Sequence, residues 1–192
     1  MKRRRRRRKW LSEFDDFAAS LFEESKRFLE KATDANEDEG ARAAYLHAAL
    51  NLAFCSIEAH LNAVCEELAS HKEFSAPHDL GVLREKDVRL EDGEFKLKGL
   101  RIYPLEERLT FVHRRVSGKT PDKQSRWWSD LVAAVALRNR LTHPKENPPS
   151  VNIQNVKSAL SAIIEAIDVL YQAVYSRPFP PAKRGLQSKL TF

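Results

Sequence analysis

The stretch LHAALNLAFCSIEAHLNAVCEEL, residues 46–68, decides the fold. Leu46, Leu50, Phe54, Ile57, Leu61, Val64 and Leu68 recur by threes and fours, which places them on one face of a helix. Ala48, Leu52, Cys55, Ala59 and Ala63 make the opposite face apolar as well. A helix that is apolar nearly all round needs cover on every side, so residues 41–70 are expected to be the central helix of a bundle. Glu58 and Asn62 are its polar exceptions. They either hydrogen-bond within the bundle or face a cleft.

Other helices are expected on both sides of it. Phe14, Phe17, Leu21 and Phe28 recur at helical spacing over residues 11–33, with Ser12 and Asp15 suited to the first turn. After an acidic loop and the central helix, Leu105, Leu109, Val112 and Val116 mark a helix over 104–117. It has Pro104 in its first turn and Gly118 just past its end. Thr120-Pro121-Asp122 supplies a cap, a proline and a negative charge for a fourth helix. That helix should run to about Thr142, because Pro144 disfavours helical dihedrals at His143. Val156, Leu160, Ile163, Ile167, Leu170 and Val174 mark a fifth, over 152–176. Between them, Val88-Arg89-Leu90 and Phe95-Lys96-Leu97 alternate apolar and polar about Asp92-Gly93, a β-hairpin signal. The expected fold class is therefore all-α. It is a helical bundle of about five helices over residues 11–176, with residues 71–103 as a small insertion carrying a β-hairpin. Residues 177–192 hold Pro178, Pro180 and Pro181 and read as a loose C-terminal tail.

The charge balance sets the amino terminus apart. The chain carries 33 basic and 27 acidic residues, net +6, but eight of the basic ones lie in Lys2 to Lys9, six of them consecutive arginines. The remainder has 25 basic against 27 acidic residues, net −2. The basic character belongs to a tail, residues 1–10. The expectation is a disordered segment that binds nucleic acid or anionic lipid without sequence preference, or merely a solvated one. Acids recur through residues 11–29 and leave no apolar core for a secretory signal. No run of about 18 apolar residues reads as a membrane span. Cys55 and Cys65 lie ten residues apart on one helix, too far to bridge, and read as reduced, buried thiols of a cytoplasmic protein.

Leu137-Arg138-Asn139-Arg140-Leu141-Thr142-His143-Pro144 carries the chemistry. It ends an apolar helix with a fixed cation, an amide and a titratable base, a costly set unless it has something to bind. At about 100° per residue, Arg138, Asn139, Thr142 and His143 prolong the arc of Trp128, Leu131, Val132 and Val135. Arg140 points away from them, and Leu137 and Leu141 form a second apolar side. One side can pack on the bundle, and a two-fold partner is the expected cover for the other. In such a homodimer the polar helix ends would line a shared cleft.

The residue types suit RNA. An imidazole with an ordinary pKa near 6.5 can take the proton of a ribose 2′-hydroxyl at neutral pH. A guanidinium binds phosphoryl oxygens bidentately and offsets the charge that builds on them. No cofactor or metal is called for. His60 lies between Cys55 and Cys65, but five-residue steps scatter the three around the helix. The bare Arg-x4-His spacing occurs three times, at Arg42…His47, Arg108…His113 and Arg138…His143. Only the third has an amide after the arginine, a helix end and a following proline.

That third match, Arg138-Asn139-Arg140-Leu141-Thr142-His143 on the penultimate helix of an all-helical domain, resembles the signature of the HEPN superfamily. The resemblance spans about residues 11–176. It implies a dimeric helical bundle and a metal-independent endoribonuclease of the toxin–antitoxin, anti-phage or RNA-processing kind, with a cognate antitoxin protein as a possible partner. It makes Arg138 and His143 catalytic and Asn139 supporting. Thr142, Glu58 and Asn62 are further candidates for binding substrate beside Arg138. Lys145 stands where one branch of that superfamily carries a modifiable tyrosine. The alternative is a catalytically inactive HEPN-like module that dimerises or binds RNA or protein. In the blandest reading, Arg138 and His143 simply complement the helix C-terminus. Trp127 and Trp128 could stack on bases, but a tryptophan pair at the start of a core helix more often packs.

Overall fold

A computed structural model describes residues 2–34, 36, 38–145 and 150–191, with side chains described from residue 16 onward. The chain is mostly helical with one small antiparallel hairpin. In order it forms α1 (Lys2–Thr33), α2 (Glu39–Leu68), a 3-10 turn (Lys72–Phe74), α3 (Pro77–Leu83), β1 (Lys86–Glu91), β2 (Glu94–Leu100), α4 (Leu105–Ser117), α5 (Arg126–Thr142), α6 (Ile153–Tyr175) and a second 3-10 turn (Pro180–Arg184).

The centre of the bundle is α2, as its all-round apolar pattern requires. Leu50, Ile57 and Leu61 of α2 and Leu160, Ile163 and Ile167 of α6 are fully buried. Two buried serines join α1 to α2: Ser25 Oγ donates to Ala49 O at 2.6 Å, and Ser56 Oγ donates to Ala18 O at 2.7 Å. Small residues at these crossings let the backbones approach closely enough for side-chain-to-carbonyl bonds. Both α2 and α6 are long and apolar enough to cross a membrane by length and composition alone. However, 67% and 50% of their most apolar windows are buried, which is the pattern of core helices.

The hairpin forms where the alternation placed it. Val88 pairs with Leu97 and Leu90 with Phe95, closed by Asp92 (φ 55°) and Gly93 (φ 80°). Two consecutive left-handed residues match the right-handed twist of the strands, which is why Asp-Gly suits this position. The insertion also contains α3, which its short length and loop-like composition did not announce. Pro77 starts α3, and a Cβ on Gly81 would lie 2.5 Å from Val88 Cγ2, so the glycine lets the helix lie directly on β1.

Four expectations need correction. First, α5 starts at Arg126, not near Thr120. Asp122 turns the chain instead, accepting from Gln124 N at 3.0 Å, and Ser125 is the N-cap residue. Second, α1 begins at Lys2 and not at residue 11. Arginine and lysine are good helix formers, and no glycine or proline separates them from residue 11. Third, Cys55 is exposed; only Cys65 is buried.

Fourth, the carboxyl terminus is not loose. Phe179 is 2% exposed and sits 5.0 Å from the His60 ring and 5.1 Å from the Tyr171 ring. Ser188 N donates to Glu30 Oε1 and Lys189 N to Glu23 Oε2, which straps residues 179–189 across α1. The prolines end α6 as expected, and the apolar Phe179 between them is what docks the segment.

Candidate nucleic-acid groove

Elements α2, α4, α5 and the foot of the hairpin enclose an open groove of about 700 Å³. Each supplies side chains by its own periodicity. Glu58 and Asn62 are one turn apart on the least covered side of α2. Val135, Arg138 and Asn139 share a face of α5. Arg108 enters from α4, and Glu85, Leu100, Ile102 and Tyr103 form the wall contributed by the insertion.

Arg138 leaves α5 half-buried. Its Nη2 donates to Glu58 Oε1 at 2.7 Å, and its guanidinium lies 5.0 Å over the Phe54 ring. Its Nε is buried and has no hydrogen-bond partner among the described residues. Cys55 stands one turn before Glu58. Partial desolvation raises its thiol pKa, Glu58 raises it further, and Arg138 opposes the shift.

Arg108 is the more deeply buried arginine, 5% exposed. Its Nη1 donates to Asn62 Oδ1 at 2.9 Å and lies 3.3 Å from Glu85 Oε2. Neighbouring Cys65 is buried, which pushes its thiol up to about 11. In the sequence, Arg108 reads only as part of one of the two Arg-x4-His matches that lack a following amide. The available signal was its place among Leu105, Leu109 and Val112 on the apolar face of α4. The other member of that match, His113, turns outward, with Nδ1 2.6 Å from Lys119 O.

Four of the six candidate residues therefore line one groove: Arg138, Asn139, Glu58 and Asn62. Thr142 and His143 are not among its lining residues. Thr142 Oγ1 donates back to Arg138 O at 3.0 Å, which spends its hydroxyl on the helix end. His143 caps α5 with φ −133° and ψ 64°, its N–H bonded to Asn139 O, and its ring is exposed. Pro144 follows it, as the helix end requires.

Both apolar sides of α5 hold buried residues. Leu131, Val135 and Trp128 are buried on one side and Leu137 on the other; Val132 remains 42% exposed. α6 packs along α5, while Val132 stays open on the side assigned by the helical wheel to a partner. Trp127 and Trp128 pack edge-to-face at 5.5 Å, a core contact and not an open stacking platform. Among the described residues, no group of three or more His, Cys, Asp or Glu side chains is placed to hold a metal ion.

The groove holds three carboxylates (Glu58, Glu85, Glu106) and two guanidiniums (Arg108, Arg138). Each arginine has an acidic partner, so a bound anion must compete for it. No family model, curated protein or solved structure matches this chain.

Proposed function

We propose that this chain is a HEPN-type, metal-independent endoribonuclease that works as a homodimer in the cytoplasm, as a toxin, an anti-phage factor or an RNA-processing effector. The observation that carries the reading is Arg138: its half-buried guanidinium opens onto a groove of nucleotide size, beside Asn139. Arg138 binds the scissile phosphate, and Asn139 orients it. His143 takes the 2′-hydroxyl proton. The freed oxygen bonds to phosphorus, the bond to the 5′-oxygen breaks, and that oxygen leaves with a proton supplied by an imidazolium or by water. Within one copy His143 lies outside the groove, so a second copy supplies the imidazole.

Mixing two inactive variants tests this. Arg138→Ala and His143→Ala are each expected to abolish cleavage of single-stranded RNA in EDTA. A mixture of the two forms heterodimers with one intact composite site and should regain part of the activity, leaving cyclic phosphate ends. A mixture as inactive as its components sinks the shared site.

The second reading is an inactive HEPN-like binding module, in which a cognate protein or RNA is held and not cut. The Glu58–Arg138 bond favours it, because it occupies the guanidinium in the free protein. Its signature is binding that survives His143→Ala with no cleavage by the parent protein.

A further inference from the structure

We infer that the groove beside Arg138 is a subsite for a guanine base of single-stranded RNA, read by Glu85 and Asn62. The inference rests on the RNA reading above and names what that site selects.

Charge narrows the ligand first. Three carboxylates against two guanidiniums repel a run of phosphates. The groove therefore accepts one phosphate at Arg138 and, beyond it, an uncharged group rich in hydrogen-bond donors. A nucleobase edge fits that description.

The Arg108 cluster points the same way. Its side chain is only 6% exposed, and its Nε has no hydrogen-bond partner among the described residues. It acts as a buried post. Asn62 Oδ1 is turned onto it, which leaves the Asn62 amide nitrogen to donate into the groove. Glu85 is held against the same arginine by backbone in the left-handed region, φ 50°, which costs a non-glycine residue about 1 kcal/mol. Strain of this kind persists where the surroundings fix a side chain's position. Leu100 and Ile102, 70% and 77% exposed, form with Tyr103 an apolar wall against which the face of a base can lie.

Among the four bases, guanine matches best. Its N1–H and exocyclic N2 amine lie side by side, and both can donate to one carboxylate. Its O6, next to them, can accept from the Asn62 amide. Adenine and cytosine each place an acceptor beside their single amine, and uracil flanks its one N–H with two acceptors.

The test is fluorescence anisotropy with full-length protein and single-stranded oligouridines carrying one central G, A, C or U. The guanine strand should bind about tenfold more tightly than the others, the worth of one good bidentate contact. Glu85→Gln should lose that preference, because its amide adds a donor where only acceptors suit. Glu85→Asn, which tolerates the left-handed backbone, serves as a second variant with circular dichroism as the folding check. Equal binding of all four strands by the parent protein, a guanine preference that survives in a folded Glu85 variant, or no RNA binding at all overturns the inference. A guanine preference without cleavage keeps the subsite and removes the nuclease. Cleavage at every base with no preference does the reverse.

Discussion

Arg138 Nη2 on α5 lies 2.7 Å from Glu58 Oε1 on α2, joining residues 80 apart in the chain at the mouth of the groove. The pair is only partly shielded, with side-chain exposures of 24% and 45%, so solvent screening keeps its contribution to stability small. Its larger effect is on availability, because a phosphate must displace the carboxylate to reach the guanidinium. Glu58→Gln should therefore tighten single-stranded RNA binding roughly threefold, the equivalent of about 0.7 kcal/mol for a half-exposed pair. Arg138→Ala should weaken binding and reduce its salt dependence. Titrations at several salt concentrations check both, and weaker binding by Glu58→Gln would instead make Glu58 a direct ligand of the RNA.

A different carboxylate governs the opposite side of the bundle. Glu23 and Lys26 of α1 are 1% and 0% exposed and lie 3.4 Å apart. Burial alone would raise the Glu23 pKa, but the Lys189 N–H, Arg184 and Lys26 together hold it below the ordinary value. Burial lowers the Lys26 pKa against the attraction of Glu23. Glu23→Ala strips Lys26 of its counter-charge and the strap of its acceptor, and should cost about 3–5 kcal/mol. The double variant Glu23→Leu, Lys26→Met should lose much less, since it leaves no buried charge behind. Denaturant midpoints of the three proteins decide this; a double variant as unstable as Glu23→Ala would place the whole cost in the strap.

His60 makes the bundle sensitive to acid. It is 1% exposed, with Nδ1 3.2 Å from the Tyr171 hydroxyl, and burial lowers its pKa to about 4. In the unfolded chain it titrates near 6.5, so between those values the unfolded state binds more protons. Stability from this group is complete above about pH 6.5 and falls as the pH drops toward 4, by about 3 kcal/mol in all. His60→Phe should flatten that part of the stability curve. Urea unfolding from pH 7 to pH 4 measures it, and parallel slopes for the two proteins would show that His60 is not the group responsible.

Phe179 carries the strap. Its ring is packed among His60 and Tyr171, and its N–H donates to Asp168 Oδ1 at 2.6 Å. Phe179→Ala should cost about 3–5 kcal/mol, as for other buried aromatics. The loss should also appear as faster amide exchange in residues 180–190 than in α4. A cost below about 1 kcal/mol would mean that the strap is held by its polar bonds alone.

Some of this could be read from the residues and some could not, for physical reasons. Repeating patterns over many residues announced α2 and α6, and Asp92-Gly93 announced the hairpin. Arg138, Asn139, Glu58 and Asn62 were singled out because polar groups on apolar helices are costly, and they do line one groove. By contrast, α3 has seven residues, too few for a period to show. Lys26 lies three residues from Glu23, a spacing that reads as a surface pair until the strap is seen to cover it. Arg108 and Glu85 meet only through a contact between α4 and the insertion, which no local pattern encodes.

Gly81 links the insertion to the groove and offers a test away from the charged residues. A Cβ at this position would lie 2.5 Å from Val88 Cγ2 and 3.1 Å from Lys86 O. The second contact is backbone and cannot rotate away, so Gly81→Ala must push α3 and β1 apart. Overpacking of this kind costs about 1–3 kcal/mol. Helix propensity favours alanine by up to about 1 kcal/mol and offsets only part of that. The displaced strand leads directly from Glu85, whose carboxylate meets Arg108 in the groove. Gly81→Ala is therefore expected to weaken RNA binding while α2, α5 and α6 keep their amide protection. Hydrogen exchange and anisotropy on the same sample measure the two effects. Unchanged binding beside a loosened hairpin would show that the insertion forms no part of the RNA site.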